Sequence, residues 1–288
     1  MKRYIFSSRR TGHIENMRHE RAKYPEIAKK IVDTSDIVLE VLDARFLNET
    51  RNIKLEEEIE KQKKKIIYVL NKVDLTKEKK LIEIKKKFFP YAIISCTKKT
   101  GIKDLRNLIK RVAKTIEKRE PREIKKDKIV FGKDKKIKVG VIGYPNTGKS
   151  SLLNLLSRKA GAGIGSEAGF TKNVQKINFS GDIILIDSPG VISQEDYSSS
   201  DSEKISKFTI FGGKSYTQVK DPEIIVNELF KTYKKSIENH YKIEAYDSDE
   251  LIEKVGLKKK FLKKGGIVNG DKTAREILRA WQKGEIKN

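Results

Sequence analysis

Residues 143–150 read G-Y-P-N-T-G-K-S, and residues 187–190 read D-S-P-G. A glycine-rich turn between a strand and a helix lets backbone N–H groups point inward at phosphate oxygens. The positive end of the helix then adds favourable potential. In this pattern Lys149 is expected to reach the β- and γ-phosphates of a nucleotide, and Ser150 to coordinate Mg²⁺. Asn146, Thr147, Gly148 and Ser151 complete the cradle. Asp187 can hold Mg²⁺ through water, and the Gly190 N–H can meet the γ-phosphate. Thr171 lies in the Gly-rich stretch 161–173. It is either a second hydroxyl ligand for Mg²⁺ or an ordinary loop threonine. Ligands of this kind order a loop while the γ-phosphate is present and release it afterwards. Lys149, Thr171 and Gly190 are therefore the candidate catalytic groups.

A second set comes earlier in the chain. Asn71, Lys72 and Asp74 lie in N-K-V-D, 71–74. A carboxylate at position 74 can accept from both N1–H and N2–H of guanine, and adenine offers no matching donor pair. Asn71 can tie this loop to the phosphate loop, and the Lys72 stem can cover the base face. Ser95, Cys96 and Thr97 (S-C-T) can offer a backbone N–H to guanine O6. Cys96 is expected to pack beside the base rather than react.

These groups need a frame. V-L-E-V-L-D (38–43), I-I-Y-V-L (66–70), Y-A-I-I-S (91–95) and I-K-V-G-V-I (137–142) read as buried strands. V-Q-K-I-N-F (174–179) and D-I-I-L-I-D (182–187) read as a hairpin around Gly181. Helices are predicted near 21–33, 50–63, 77–88 and 102–117, and from Lys149 onward. Strands alternating with helices give an α/β, doubly wound, mostly parallel sheet. The base-reading motif precedes the phosphate loop, the reverse of the order in an ordinary G domain. Residues 38–117 lack a phosphate loop and 137–190 lack a base reader, so one circularly permuted P-loop GTPase domain accounts for both halves better than two unrelated ones. The expected organisation is a basic arm (1–20), a nucleotide domain (21–206) and a basic C-terminal helical domain (207–288). The nucleotide domain divides into a base-reading half (21–117), a connector (118–136) and a phosphate-binding half (137–206). Such rewiring is tolerated because domain termini often lie close together.

The chain has 288 residues, with 64 Lys and Arg against 40 Asp and Glu, a formal charge of +24. That field attracts polyanions, although a hot-adapted surface of charged networks would also raise the charged fraction. Cys96 is the single cysteine, which excludes an internal disulfide. No signal-like opening and no long apolar run is present, so a soluble, cytoplasmic protein without membrane contact is expected.

The succession N-K-V-D, S-C-T, G-Y-P-N-T-G-K-S, G-F-T, D-S-P-G resembles the circularly permuted GTPases of the YlqF/YawG family, in its archaeal, YawG-like branch. D-A-R (43–45) matches a further signature of that family, and the resemblance spans essentially the whole chain. It implies GTP/GDP as ligand, Mg²⁺ as cofactor, slow GTP hydrolysis stimulated by the ribosomal subunit, and a part in large ribosomal subunit assembly. The partners implied are the large subunit or its precursor and rRNA, with a monomer off the ribosome. Val191 stands where other GTPases keep a catalytic glutamine. Asn146 occupies the position associated with K⁺-dependent members. Gly12-His13-Ile14 matches two residues of a G-H-M motif proposed to supply a catalytic histidine. His13 is thus either catalytic or a basic arm residue near RNA. Asp43 either closes a local turn with Arg45 or holds the guanine-side loops.

The C-terminal segment carries a basic turn, K-K-K-F-L-K-K-G-G (258–266), and helices near 222–234, 247–254 and 270–283. Lys258, Lys259, Lys260, Lys263, Lys264, Lys272, Arg275, Arg279 and Lys283 are the candidate RNA contacts. The last helix can place four of them on one face, and Trp281 reads as a core anchor. The resulting expectation is a GTP-controlled assembly switch. The alternatives are an RNA-binding module for which hydrolysis is incidental, and a small-molecule kinase.

Overall fold

All seven residues of the first strand, β1 (Ile37–Asp43), are buried, so this strand must lie inside a sheet covered on both faces. The computed structural model describes residues 24–76, 88–116, 136–157, 176–187 and 202–287. Its sheet has six strands in the order β3-β2-β1-β4-β6-β5. The others are β2 (Lys65–Asn71), β3 (Tyr91–Ile93), β4 (Ile137–Gly143), β5 (Lys176–Ser180) and β6 (Ile183–Asp187). Every pairing is parallel except β5 with β6, the hairpin the sequence predicts.

Alternation on the strands assigns the two faces. Leu39, Val41, Val69, Val139, Val141 and Leu185 pack with α4 (Ile102–Lys114) and α5 (Lys149–Ser157). Val38, Ile142 and Ile186 point the other way, against Ile31 and Val32 of α1 (Tyr24–Thr34) and Ile59 of α3 (Ile53–Lys61). A short helix, α2 (Leu47–Thr50), follows β1. The chain order makes β1 and β4 neighbours whose successors depart to opposite sides of the sheet. That is a topological switch point, and the crevice at the carboxyl ends of the strands there is where doubly wound sheets bind ligands.

The C-terminal helices are α6 (Ser202–Ile210), α7 (Pro222–Tyr241), α8 (Ser248–Lys258) and α9 (Gly270–Lys283). They build a separate core around Leu229, Leu251, Ile277 and Trp281. In α9, Ala274, Ile277, Leu278 and Trp281 are buried at helical spacing. Asn269 caps this helix by accepting from the Lys272 N–H at 3.2 Å. The helix predicted near 222–234 continues to Tyr241, and a kink at Tyr233 marks the place where the pattern changes. The boundary drawn between 206 and 207 falls inside α6, whose Ile210 belongs to this second core, so α6 is one continuous piece across it. The helix predicted near 77–88 falls almost wholly outside the described residues, as does the connector. So do the arm with His13, the 161–173 stretch with Thr171, and Gly190 and Val191.

Candidate functional site

Gly143 ends β4 and Lys149 opens α5, so the phosphate-loop motif occupies the turn at the switch point. Gly148 has φ +102°, and a Cβ there would overlap Asn71 Nδ2. Only glycine allows both this backbone and this approach. Asn146 also takes a left-handed conformation, φ 59°. Lys149, 6% exposed, donates to the carbonyls of Gly143 and Tyr144, each at 2.9 Å. Its ammonium is thus folded into the loop that would receive phosphates.

The base-reading side is built around Asn71, the last residue of β2. Its Nδ2 donates to the Thr147 carbonyl at 2.7 Å, and its Oδ1 accepts from the Cys96 N–H at 3.1 Å. One buried amide therefore joins the phosphate loop, N-K-V-D and S-C-T. Lys72 is left-handed (φ 63°), which starts a single 3-10 turn, Val73–Leu75, carrying Asp74. A cleft of about 920 Å³ lies between these parts. Its walls include Asn71, Lys72, Asp74, Cys96, Thr97, Asn146, Gly148, Lys149, Ser150 and Ser151.

The side chains of two expected residues lie behind that lining. Ser95 is buried, and its hydroxyl accepts from the Lys98 N–H at 3.0 Å. Thr147 is buried, and its hydroxyl donates to the Tyr144 carbonyl at 2.9 Å. Their side chains shape loops rather than face the cleft. Asp187 ends β6, paired with Val141 of β4. Cys96 sits at the cleft with its thiol pushed up to about 11 by burial, which leaves it protonated and unreactive at neutral pH.

Sequence reasoning missed the third wall. Gln282, Lys283 and Lys287 come from the end of α9 and beyond it. Lys283, expected on an RNA face, instead lines the cleft. Gly284 (φ +75°) packs so closely on Leu75 that a Cβ there would overlap that side chain. The phosphate loop is joined as well: Asn146 Nδ2 donates to the Gly212 carbonyl at 2.6 Å, and Tyr144 meets Phe208 at 5.6 Å. The helical module therefore touches both the base-side and phosphate-side loops.

D-A-R is the core of this junction. Asp43, 1% exposed, accepts from Arg45 Nε at 3.1 Å and Nη2 at 2.8 Å, and from Lys72 Nζ at 2.8 Å. Arg45 Nη1 donates to the Trp281 carbonyl at 3.1 Å. Burial pushes the Asp43 carboxyl up, but Arg45 and Lys72 outweigh it and hold the group below its usual range. Phe46 packs on Phe211 and Trp281, with centroids 5.2 and 5.8 Å away.

A phosphate loop at a switch point, facing a guanine-type base loop that precedes it in the chain, defines a circularly permuted P-loop nucleotide-binding protein. The comparisons agree. A family model described as "50S ribosome-binding GTPase" matches residues 138–243. A GTP-binding protein of Methanocaldococcus jannaschii is 34% identical, with 94% of this chain and 68% of the relative aligned. The nuclear GTP-binding protein NUG1 of Saccharomyces cerevisiae is 31% identical over 92% of this chain and 55% of its own. The chain thus spans about half the length of such larger relatives. A GDP-bound YlqF structure shares the fold with TM-score 0.62 at 22% identity, covering 90% of this chain and 95% of that one. A GNP-bound YlqF from T. maritima gives 0.60 at 20%, covering 91% and 94%. This chain belongs to the YlqF-type family of circularly permuted GTPases.

Proposed function

We propose that the protein is a GTP-hydrolysing switch that acts in assembly of the large ribosomal subunit, binding rRNA of the precursor in a nucleotide-dependent way. The observation that carries this reading is the cleft itself, walled by base-reading, phosphate-binding and α9 residues together. Asp74 is the guanine discriminator, and Lys149 with the loop N–H groups is the phosphate cradle. Ser150, Thr171 and Asp187 are the candidate Mg²⁺ ligands. What supports Ser150 and Asp187 in this role is their place in the fold: Ser150 stands in the first turn of α5, which follows β4, and Asp187 ends β6, the parallel neighbour of β4, and both residues carry the oxygen donors that Mg²⁺ takes. Mg²⁺ when bound neutralises charge between the β- and γ-phosphates. K⁺ would use Asn146, whose amide nitrogen is committed to Gly212 and whose oxygen is the atom suited to a cation. With Val191 in place of glutamine the intrinsic turnover is slow, and the subunit supplies stimulation; His13 is the candidate catalytic histidine.

RNA contact is best placed on the 258–266 turn. Lys260, Lys263 and Lys264 are exposed there and make no ion pair or side-chain hydrogen bond among the described residues. Gly265 and Gly266 (φ +90° and +79°) have open space around them. Such lysines meet phosphates without reading sequence. GTPase turnover measured with and without large subunits, in K⁺ and in Na⁺, tests the reading. Stimulation by the subunit supports it, and turnover indifferent to the subunit sinks the partner assignment. Equal retention on the subunit with GDP and a nonhydrolysable GTP analogue would instead favour an RNA-binding module with incidental hydrolysis. Asp74→Asn should weaken GTP binding by roughly 10²-fold or more while improving xanthosine nucleotides, by titration of both.

A further inference from the structure

Lys72 lines the nucleotide cleft, yet its ammonium ends on Asp43, a carboxylate only 1% exposed. The aliphatic stem is therefore stretched along the cleft wall between a left-handed backbone and a buried anchor. A lysine facing a nucleotide has two ways to spend its charge. It can reach for a phosphate, or it can be held away so that its methylene groups present an apolar surface to the base. The geometry at position 43 selects the second.

The anchor is itself held from three directions. Arg45 grips both Asp43 oxygens through Nε and Nη2, a planar chelate that lysine could not reproduce. The Arg45 N–H adds a bond to Oδ1 at 3.0 Å. Arg45 Nη1 continues to the Trp281 carbonyl near the end of α9, and its guanidinium lies 4.9 Å from the Phe46 ring. Asp43 also begins from a fixed backbone, since its N–H donates to Thr50 Oγ1 at 3.2 Å. The chain of contacts runs from Lys72 to Asp43, Arg45 and the helical module without a gap.

We infer that Asp43 and Arg45 are a positioning pair for guanine-nucleotide binding: Asp43 anchors the Lys72 ammonium so that its stem forms the base wall, and Arg45 fixes Asp43 against α9. Neither residue touches the nucleotide. This rests on the guanine-nucleotide reading of the cleft, and the two can fail separately.

The test is a double-mutant cycle on the whole 288-residue chain, with GDP affinity as readout and thermal unfolding as a check on the fold. Asp43→Asn keeps the size and an acceptor for Arg45 but removes the charge that holds Lys72. It should weaken GDP about tenfold, within the usual coupling of contacting residues. In a Lys72→Ala background, Asp43→Asn should change GDP affinity less than about twofold, since the wall is already gone. The same loss in both backgrounds, or no loss in either, overturns the pair. Arg45→Lys, which keeps a cation but not the chelate, gives a second cycle should Asp43→Asn fold poorly. Failure of the unaltered protein to bind GDP would instead sink the guanine reading.

Discussion

The junction between sheet and helical module and the turn at 258–266 are both rich in cations, and they use them in opposite ways. At the junction Arg45 and Lys72 converge on Asp43; Asp43 and Arg45 are buried, and Lys72 is partly exposed at the cleft. Nearby on α9, Arg275 is gripped by Asp271, and Arg279 by Glu276 and Glu285. On the turn, Lys260, Lys263 and Lys264 stand exposed without charged partners among the described residues. The formal net charge of +24 is therefore spread unevenly between these two surfaces, locally balanced at the junction and unbalanced on the turn. The arginines of the junction and of α9 are held by carboxylates, whereas the three lysines of the turn are left for a partner.

The sharpest way to break this contrast is to remove the anion at the junction. Asp43→Ala leaves the buried Arg45 guanidinium, and the partly exposed Lys72 ammonium, without their counter-ion. The expected loss is about 3–5 kcal/mol of unfolding free energy, read by urea denaturation. The pH dependence has a definite sign. The folded-state value for Asp43 is depressed, so its stabilisation is present above about pH 3.9, the ordinary aspartate value, and fades as pH falls through the lower folded value. Asp43→Ala should therefore cost much at pH 7 and progressively less in acid. A loss below about 1 kcal/mol at pH 7 would place the junction charges with ordinary surface pairs.

At the turn the expectation is reversed. Lys260→Gln, Lys263→Gln and Lys264→Gln together should leave thermal stability unchanged. They should weaken RNA or subunit binding roughly tenfold and lower the log–log salt slope by about 2–3. An unchanged slope would remove the turn from the interface.

Much of this was legible in the sequence. Buried strands, the phosphate loop and the base loop follow from local pattern, and α9 matches its predicted span, 270–283. The partners of D-A-R were not. Arg45 and Trp281 meet across almost the entire chain, and no local rule couples them. Lys283 and Lys287 reach the cleft for the same reason, because α9 docks where only tertiary packing puts it. Arg275 and Arg279 are a different case. Asp271 and Glu276 stand four and three residues away, a spacing that announces pairing on a helix. Counting only the basic residues of that face hid it. The hydroxyls of Ser95 and Thr147 serve their own loops, a use that the motif alone does not announce.

Strand β1 carries an internal control. Glu40, three residues before Asp43, is fully buried and has no ion pair on its carboxyl oxygens among the described residues. Oε1 accepts from the Asn52 N–H at 2.9 Å, and Oε2 has no partner. Burial and the charge of Glu56 push its carboxyl well above the usual range, so its effect on stability runs against that of Asp43. Folding is favoured most below about pH 4.3, the ordinary glutamate value, and loses that advantage as pH rises through the folded value. Glu40→Gln keeps an acceptor and gives Glu56 a donor. It should stabilise the protein by about 1 kcal/mol at pH 8 and by less at pH 4. A loss of stability at both pH values would mean that Glu40 is used as an acid.

The smallest effect belongs to the arginines of α9, where the contrast is most easily misjudged. Arg279 is gripped by two carboxylates at 2.7 Å each, but its side chain and those partners remain partly exposed. Exposed pairs are screened by water and salt and lose side-chain entropy, so Arg279→Ala should cost no more than about 0.2–1 kcal/mol. Arg275→Ala also removes a bond to the Tyr216 carbonyl at 2.9 Å and should fall at the upper end of that range. Because both guanidinium groups already have carboxylates, neither substitution should change RNA affinity by more than about twofold or alter the salt slope by a full unit. A slope reduced by about 1 for either would mean that RNA phosphates displace Asp271 or Glu285. The helix would then be a surface that opens on contact, and the division between cations that hold and cations that bind would lie between α9 and the Asp43 junction instead of between α9 and the turn.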